Sequence, residues 1–376
     1  MIRIFVTGDA HFGMKHSRYP DVAEKLIESR YECLERCVRK AEEERCDLFV
    51  VTGDLFDGIR SVRKAETARI ARILSGFEGR VLILPGNHDF YTGEELVWKY
   101  FQEGIEHSDN ISLLTEMKRY SFNVGGESVC VYPAPCGAKH SSSNNIGWIK
   151  SEAFSEDSYN IGIAHGAIEG LTPDMNGDYF LMTEDELNAI SMDIWLIGHT
   201  HIPYPKDLSG EAQPTGYRIF NPGTPEQTDL HNNTEGFCFI ISLRKENGKS
   251  SVEAERFTSG RIRYYDLLFD IDGTDLREAV SSAVSGIPDK KNSIVRLAAS
   301  GSVSESDYRN RGIIARELLG DLLSYEFKDD ELSESITDEK IRNEFAEIGL
   351  AAKLLSSLND PKERQLAYGL LKKHSS

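Results

Sequence analysis

Five apolar runs in this chain each end in a carboxylate, an amide or an imidazole. "IRIFVTG" leads into Asp9 and His11, and "LFVVTG" into Asp54. "RVLILPG" leads into Asn87 and His88, "NIGIA" into His165, and "IWLIG" into His199 and His201. Short apolar runs rich in Val and Ile, bounded by turn residues, read as buried strands. In open α/β sheets, ligands bind outside the carboxyl ends of the strands. A fold containing these runs therefore collects eight polar side chains at strand ends, where they can share one ligand.

The runs alternate with helical periodicity. Ile27, Tyr31, Leu34, Val38 and Ala41 step by four and three, which puts them on one helix face. A second helix carries Ile70, Ile73, Leu74 and Phe77. The early β-α-β-α-β order predicts a layered α/β core. Further strands are read at 128–132, 217–220 and 236–241, and the later strands look more antiparallel, so a mixed sandwich is expected. Near residue 264 the pattern changes. "YYDLLFDI", "TDLREAVSSAV", "SIVRLAAS", a helix at 305–320 and "LLSYEF" read as a small α+β domain. Beyond 330 the chain is charged and helical, with an amphipathic stretch "FAEIGLAAKLLSSL".

At 376 residues the chain is long enough for two or three domains. No run is long and apolar enough to span a membrane. "MIRIFVTGD" enters a strand at once without a signal-peptide layout, which predicts a cytoplasmic protein. The cysteines Cys33, Cys37, Cys46, Cys130, Cys136 and Cys238 form no C-x-x-C pair, so reduced, buried thiols are expected. The net charge of −18 argues against binding nucleic acid by charge alone. Such a role needs metal ions or a partner to supply positive charge.

The residue types at the strand ends suit a metal pair. Carboxylates and imidazoles together bind Mn, Fe or Zn, while all-oxygen sets suit Mg or Ca. In a regular strand, residues i and i+2 share a face. Just past a strand end, D-x-H and H-x-H can both turn toward one centre. A carboxylate such as Asp54 can bridge two ions about 3.5–4 Å apart.

The ordered set "GDAH", "GDLFD", "GNHD", "AHG" and "GHTH" resembles the calcineurin-like metallophosphoesterase superfamily over roughly residues 1 to 260. The later "FNPGTPEQTD" and the small following domain look like the SbcD type, the nuclease subunit of Mre–Rad and SbcC–SbcD DNA-repair complexes, and like the related YhaO type. The resemblance implies a four-layer α/β/β/α sandwich over 1–262, a capping domain over 263–330 and a helical partner-binding region over 331–376. It implies two manganese ions, with iron, zinc or magnesium as alternatives. Asp9, His11 and His201 would hold one ion with Asp54; Asn87, His165 and His199 would hold the other with Asp54. His88 would serve as the acid for the leaving group, with Asp89 orienting its ring. The implied activity is DNA cleavage, exonucleolytic or endonucleolytic, by a metal-activated water. Such nucleases usually carry a histidine shortly after the bridging carboxylate, where this chain has Asp57. An ionised carboxylate there donates no hydrogen bond and repels phosphate, which favours a phosphodiesterase or phosphatase acting on smaller esters.

Arg60, Arg63, Lys64, Arg69 and Arg72 follow the Asp54 loop and read either as a track for DNA phosphates or as a solvated helix face. In the SbcD type, helices next to these motifs form a homodimer contact, and the C-terminal helices dock on an SMC-like ATPase. A homodimer, DNA and such an ATPase are therefore the implied partners. A regulatory subunit with a vestigial site is the rival expectation, and the complete ligand set argues against it.

Overall fold

Alternation within the first strands sets the layers. In β1 (Ile2–Thr7), Ile2, Ile4 and Val6 enter one apolar cluster and Phe5 the opposite one. After α1 (Ala23–Glu43), β2 (Leu48–Val51) does the same, with Leu48 and Val50 on one side and Phe49 and Val51 on the other. Strands buried on both faces read as continuous apolar runs, as these do. The structure is a computed structural model that describes residues 1–376 except 172–176, 233, 273–274, 346–348 and 375–376.

The remaining elements of the first unit follow in order. They are α2 (Lys64–Ser75), β3 (Arg80–Ile83), α3 (Leu96–Gly104), β4 (Ile111–Leu113), β5 (Tyr120–Val124), β6 (Glu127–Ala134) and β7 (Tyr159–His165). Then come α4 (Glu184–Asn188), β8 (Ile194–Gly198), β9 (Gln213–Thr215), β10 (Ile219–Phe220), β11 (Phe237–Glu246) and β12 (Lys249–Thr258). One sheet has the order β4-β3-β2-β1-β11-β12-β9, the other β10-β8-β7-β6-β5.

Three clusters fill the spaces between layers. Tyr31, Leu34, Ile70, Leu74 and Trp98 pack under the first sheet's outer face. Ile4, Val50, Leu82, Ile161, Leu196 and Ile241 fill the space between the sheets. Beyond the second sheet, Ile146, Ile149, Leu187 and Trp195 form a thinner outer layer. The result is the expected α/β/β/α sandwich, with a fourth layer made of a 3₁₀ turn (Gly147–Ser151) and the five-residue α4.

One expectation is corrected. The second sheet is not mainly antiparallel: β6, β7, β8 and β10 run parallel, and only β5–β6 is antiparallel. The antiparallel reading holds where β11 pairs with β1 and β12. The strand expected at 217–220 shortens to Ile219–Phe220, and β4, β5, β9 and β12 were not expected.

Residue contacts divide the chain into two compact units, Met1–Arg263 and Tyr264–Ser376. The second contains β13 (Arg263–Asp272), α5 (Leu276–Ser285), β14 (Ser293–Val303), α6 (Glu305–Leu319) and β15 (Ser324–Glu334), with sheet order β13-β14-β15. Val280, Val284, Leu297, Ile314 and Leu319 form its core. Asp275 and Ser304 cap its two helices by accepting N–H bonds from Glu278 and Asp307. The helices α7 (Asp338–Glu344), α8 (Leu350–Ser357) and α9 (Pro361–His374) follow, with a small cluster of their own around Ile341 and Leu355. Among the described residues, no helix is long and apolar enough to cross a membrane. All six cysteines are free and buried.

Candidate metal centre

The parallel neighbours β3, β2 and β1 end at one edge of the first sheet, and β7 and β8 end together in the second. The loops that follow are laced to each other. Asp9 N–H donates to the Gly53 carbonyl (3.0 Å), His11 N–H to that of Asp54 (3.0 Å), and Asp57 N–H to that of Phe12 (2.9 Å). His165 Nδ1 meets the Thr52 carbonyl at 2.9 Å, tying the second sheet's end to the first.

The backbone at these positions is unusual. Asp9 (φ 51°), His11 (48°), Asp54 (50°), His199 (107°) and His201 (55°) all have positive φ. Non-glycine residues rarely occupy this region, at a cost of about 1–3 kcal/mol each. The twist resolves the spacing problem of D-x-H and H-x-H, since both side chains of each pair leave the strand period and reach one centre. Close approach also requires glycine before two of the donors. A Cβ on Gly53 would lie 2.1 Å from His165 Nδ1, and one on Gly86 would lie 2.2 Å from Asp54 Oδ1.

The side chains form two donor sets. Asp9, His11 and His201 offer atoms within 4.8 Å of one another, and so do Asp54, His165 and His199. Asp54 Oδ2 lies 3.8 Å from His11 Nε2 and 3.4 Å from His165 Nε2, so one carboxylate stands between the sets. Asn87 Oδ1 lies 3.0 Å from His165 Nε2 and 3.1 Å from His199 Nδ1. All seven expected ligands are thus brought together, and all but His199 and His201 are buried.

This arrangement fits cations. With its Nδ1–H donated to the Thr52 carbonyl, a neutral His165 turns its Nε2 lone pair toward Asn87 Oδ1 and Asp54 Oδ2. Three acceptors then face one another, which is favourable only with a proton or a metal ion among them. Burial disfavours the imidazolium of His165, but the Asp54 carboxylate overrides it and raises the pKa to about 9. Burial also raises Asp9 to about 6. Burial opposes ionisation of Asp54 too, yet the surrounding histidines, His165 foremost, hold its pKa well below the usual range. Partial burial and the neighbouring His11 charge lower the pKa of His201, which favours the neutral state that ligates.

His88 stands outside these two sets but shares a third cluster with His11 and Asp57, whose ligand atoms also lie within 4.8 Å of one another. Its N–H donates to Asp54 Oδ1 (2.8 Å), and its ring packs edge-on to that of His11, 4.9 Å between centroids. Its Nδ1 lies 3.1 Å from the Asp57 carbonyl oxygen. That carbonyl, not Asp89, orients the ring. The Asp89 carboxylate is fully buried and accepts N–H bonds from Gly86 (2.7 Å) and Phe56 (3.0 Å), so it shapes the loop beneath. Burial, then the Asp54 charge, raises its pKa to about 7. The Asp57 carboxylate lies beside both rings, with Oδ1 3.4 Å from His11 Nδ1.

A cleft of about 810 Å³ opens over the centre, lined by Asp54, Asn87, His88, His199 and His201. Its wall adds Thr228 of the "FNPGTPEQTD" stretch and Tyr179, Lys206, His231 and Arg256, which the sequence pattern did not mark. The Tyr179 ring lies 5.1 Å from that of His199. Helix α2, expected as a possible phosphate track, is largely engaged. Arg69 bonds Glu28 (2.7 Å) and covers the Tyr31 ring, Lys64 pairs with Glu103, and Arg63 with Glu66.

A two-sheet sandwich with Asp, His and Asn donors at strand ends is the architecture of a metal-dependent phosphoester hydrolase. The profile of the calcineurin-like phosphoesterases matches residues 2–203, and the chain belongs to that family. It is 24% identical over 278 residues to YhaO of Bacillus subtilis (strain 168), described as an uncharacterized metallophosphoesterase, covering 71% of this chain and 60% of that protein. The chain thus spans three-fifths of that relative's length. Similar solved structures include TT1561 of Thermus thermophilus (13% identity, 69% of this chain, 99% of that one, TM-score 0.40). Another is the calcineurin-like phosphoesterase YfkN from Bacillus subtilis (14% identity, 69% and 90% covered, TM-score 0.39).

Proposed function

We propose that the chain is a manganese-dependent phosphodiesterase that hydrolyses DNA strands, an SbcD-like nuclease subunit. The observation that carries the hydrolase reading is the pair of donor sets meeting at Asp54. Asp9, His11 and His201 would hold one cation with Asp54, and Asn87, His165 and His199 a second. The mixed nitrogen and oxygen donors suit manganese, iron or zinc better than magnesium. Bound there, two such cations supply Lewis-acid polarisation of a phosphoryl oxygen and a water of lowered pKa.

The rest of the chemistry belongs to the chain. With Nδ1–H donated to the Asp57 carbonyl, His88 holds its transferable proton at Nε2. Protonated, it donates that proton to the departing oxygen as general acid. Asp57 Oδ1, close to His11 Nδ1, favours the tautomer in which His11 Nε2 is the ligating atom.

A second reading, hydrolysis of smaller phosphoesters, is favoured by the internal pairing of Arg63, Lys64 and Arg69, which leaves α2 a poor DNA track. End-labelled DNA with manganese separates the two. Wild type is expected to cut it. His88→Ala is expected to lose about 10²–10⁴-fold in kcat while keeping two metal ions per chain. A wild type that hydrolyses bis(p-nitrophenyl) phosphate but leaves DNA intact decides for the second reading.

A further inference from the structure

The cleft wall away from the donor sets carries two cations in a strongly acidic chain. Lys206 follows His201 in the same loop and is exposed. Arg256 comes from β12, and its guanidinium lies over the Phe237 ring at 3.8 Å. Its Nη1 donates to the Lys206 carbonyl (3.1 Å), which fixes the plane of the fork and ties the two residues together. The buried Arg256 Nε has no hydrogen-bond partner. Among the described residues, neither cation has a carboxylate within ion-pair distance, whereas Arg3, Lys40, Lys64, Arg69 and Lys245 of the same unit all do.

Asp229, the carboxylate in this wall, is committed elsewhere. It accepts from His231 N–H (2.7 Å), Asn232 N–H (3.1 Å) and the Thr228 hydroxyl (3.3 Å). A half-buried arginine stacked on an aromatic ring, with an unpaired lysine beside it, is a preorganised anion receptor. Its place in the cleft that holds His88 makes the anion part of the substrate.

We propose that Lys206 and Arg256 form a second phosphate subsite, so that the preferred substrate carries another phosphate beyond the one hydrolysed. This rests on the phosphoesterase reading above and narrows it. Monophosphate esters with neutral leaving groups engage the donor sets alone. A nucleic-acid strand supplies the second phosphate from the neighbouring nucleotide; a nucleoside diphosphate supplies it through an anhydride.

The test compares steady-state kinetics of wild type, Lys206→Ala and Arg256→Gln on three substrates. These are the p-nitrophenyl ester of thymidylate, the phosphorylated dinucleotide pTpT, and ADP. The variants are expected to raise KM for pTpT or ADP about tenfold with kcat nearly unchanged, and to leave the p-nitrophenyl ester unaffected. A rise for pTpT alone identifies a strand, and a rise for ADP alone a nucleotide. Unchanged KM on both, or an equal rise on all three, overturns the subsite. Lys206 is exposed, so its variant keeps the test valid if Arg256→Gln destabilises the loop. If wild type hydrolyses none of the three, the phosphoesterase reading fails. Equilibrium binding of pTpT to metal-free protein then decides the subsite: weaker binding by Lys206→Ala supports it, and equal binding overturns it.

Discussion

Five of the seven donor residues hold positive φ, and only the surrounding hydrogen bonds and packing keep them there. Their identities were legible in the sequence because each follows an apolar run. Their conformations were not, since nothing in D-x-H distinguishes a left-handed turn from a solvated one. Asp89 shows the same limit: adjacent to His88 in sequence, its carboxylate serves two loop N–H groups rather than the ring. The close approach of Gly53 to His165 gives a residue-scale prediction. Gly53→Ala pushes His165 away, so metal content is expected to fall from two ions per chain to one, read by atomic emission on purified protein. His165 gives a second. Its folded pKa of about 9 exceeds the usual histidine value. The metal-free fold therefore binds a proton that the unfolded chain releases between roughly pH 6.5 and 9. That contribution is complete below pH 6.5 and is lost as pH rises through 9. A Tm that falls over this window without metal and stays level with manganese is the expected result, because the cation takes the proton's place. A flat Tm without metal counts against the assignment.

Among elements, every strand that ends at the site was legible, as were β6, β11 and the strands of the second unit, whereas β4, β5, β9 and β12 were not. Buried on both faces, β1, β2, β3, β7 and β8 announce themselves as apolar runs. In β12, only Val252 and Ala254 are buried among charged neighbours, so its ten residues read as loop. Parallel pairing in the second sheet was hidden for another reason. Among the described residues, the crossovers from β6 to β7 and from β7 to β8 carry a short 3₁₀ turn and the five-residue α4. Without a long amphipathic helix between strands, no 3.6-residue period signals a βαβ unit. Helix α2 shows what charge pattern leaves unsaid, because Arg69 and Lys64 have partners on α1 and α3. Replacing Arg63, Lys64 and Arg69 together by alanine is expected to leave KM for an oligonucleotide within about twofold and its salt dependence unchanged. These pairs are solvent-exposed and screened, so their loss changes stability little. A reduced salt slope would instead establish α2 as a phosphate track.

On the scale of the whole molecule, the centre and its cleft draw every residue from Met1–Arg263, and that unit has its own three cores. Glu226 of the "GTPEQTD" stretch closes it. Its Oε1 accepts N–H bonds from Arg261 and Ile262, both 2.6 Å, and Arg36 lies 3.4 Å from its other oxygen. Part of that stretch is thus a clamp that secures the end of the first unit. A chain ending at residue 263 is therefore expected to fold, bind two metal ions and hydrolyse bis(p-nitrophenyl) phosphate within about threefold of the full chain, since no donor or acid is removed. What the truncation removes is surface. Leu350, Leu354, Leu366 and Leu370 are 86, 44, 67 and 54% exposed on α8 and α9. Apolar side chains repeating on exposed helices suit a helical partner, and we propose that the coiled coil of an SMC-like ATPase is that partner. On this proposal, Leu366→Glu with Leu370→Glu leaves ester hydrolysis intact and abolishes co-purification with such an ATPase. If the double variant still binds, the contact lies elsewhere on the chain. If it loses ester hydrolysis as well, the substitutions disturb more than a docking surface, and the docking proposal falls.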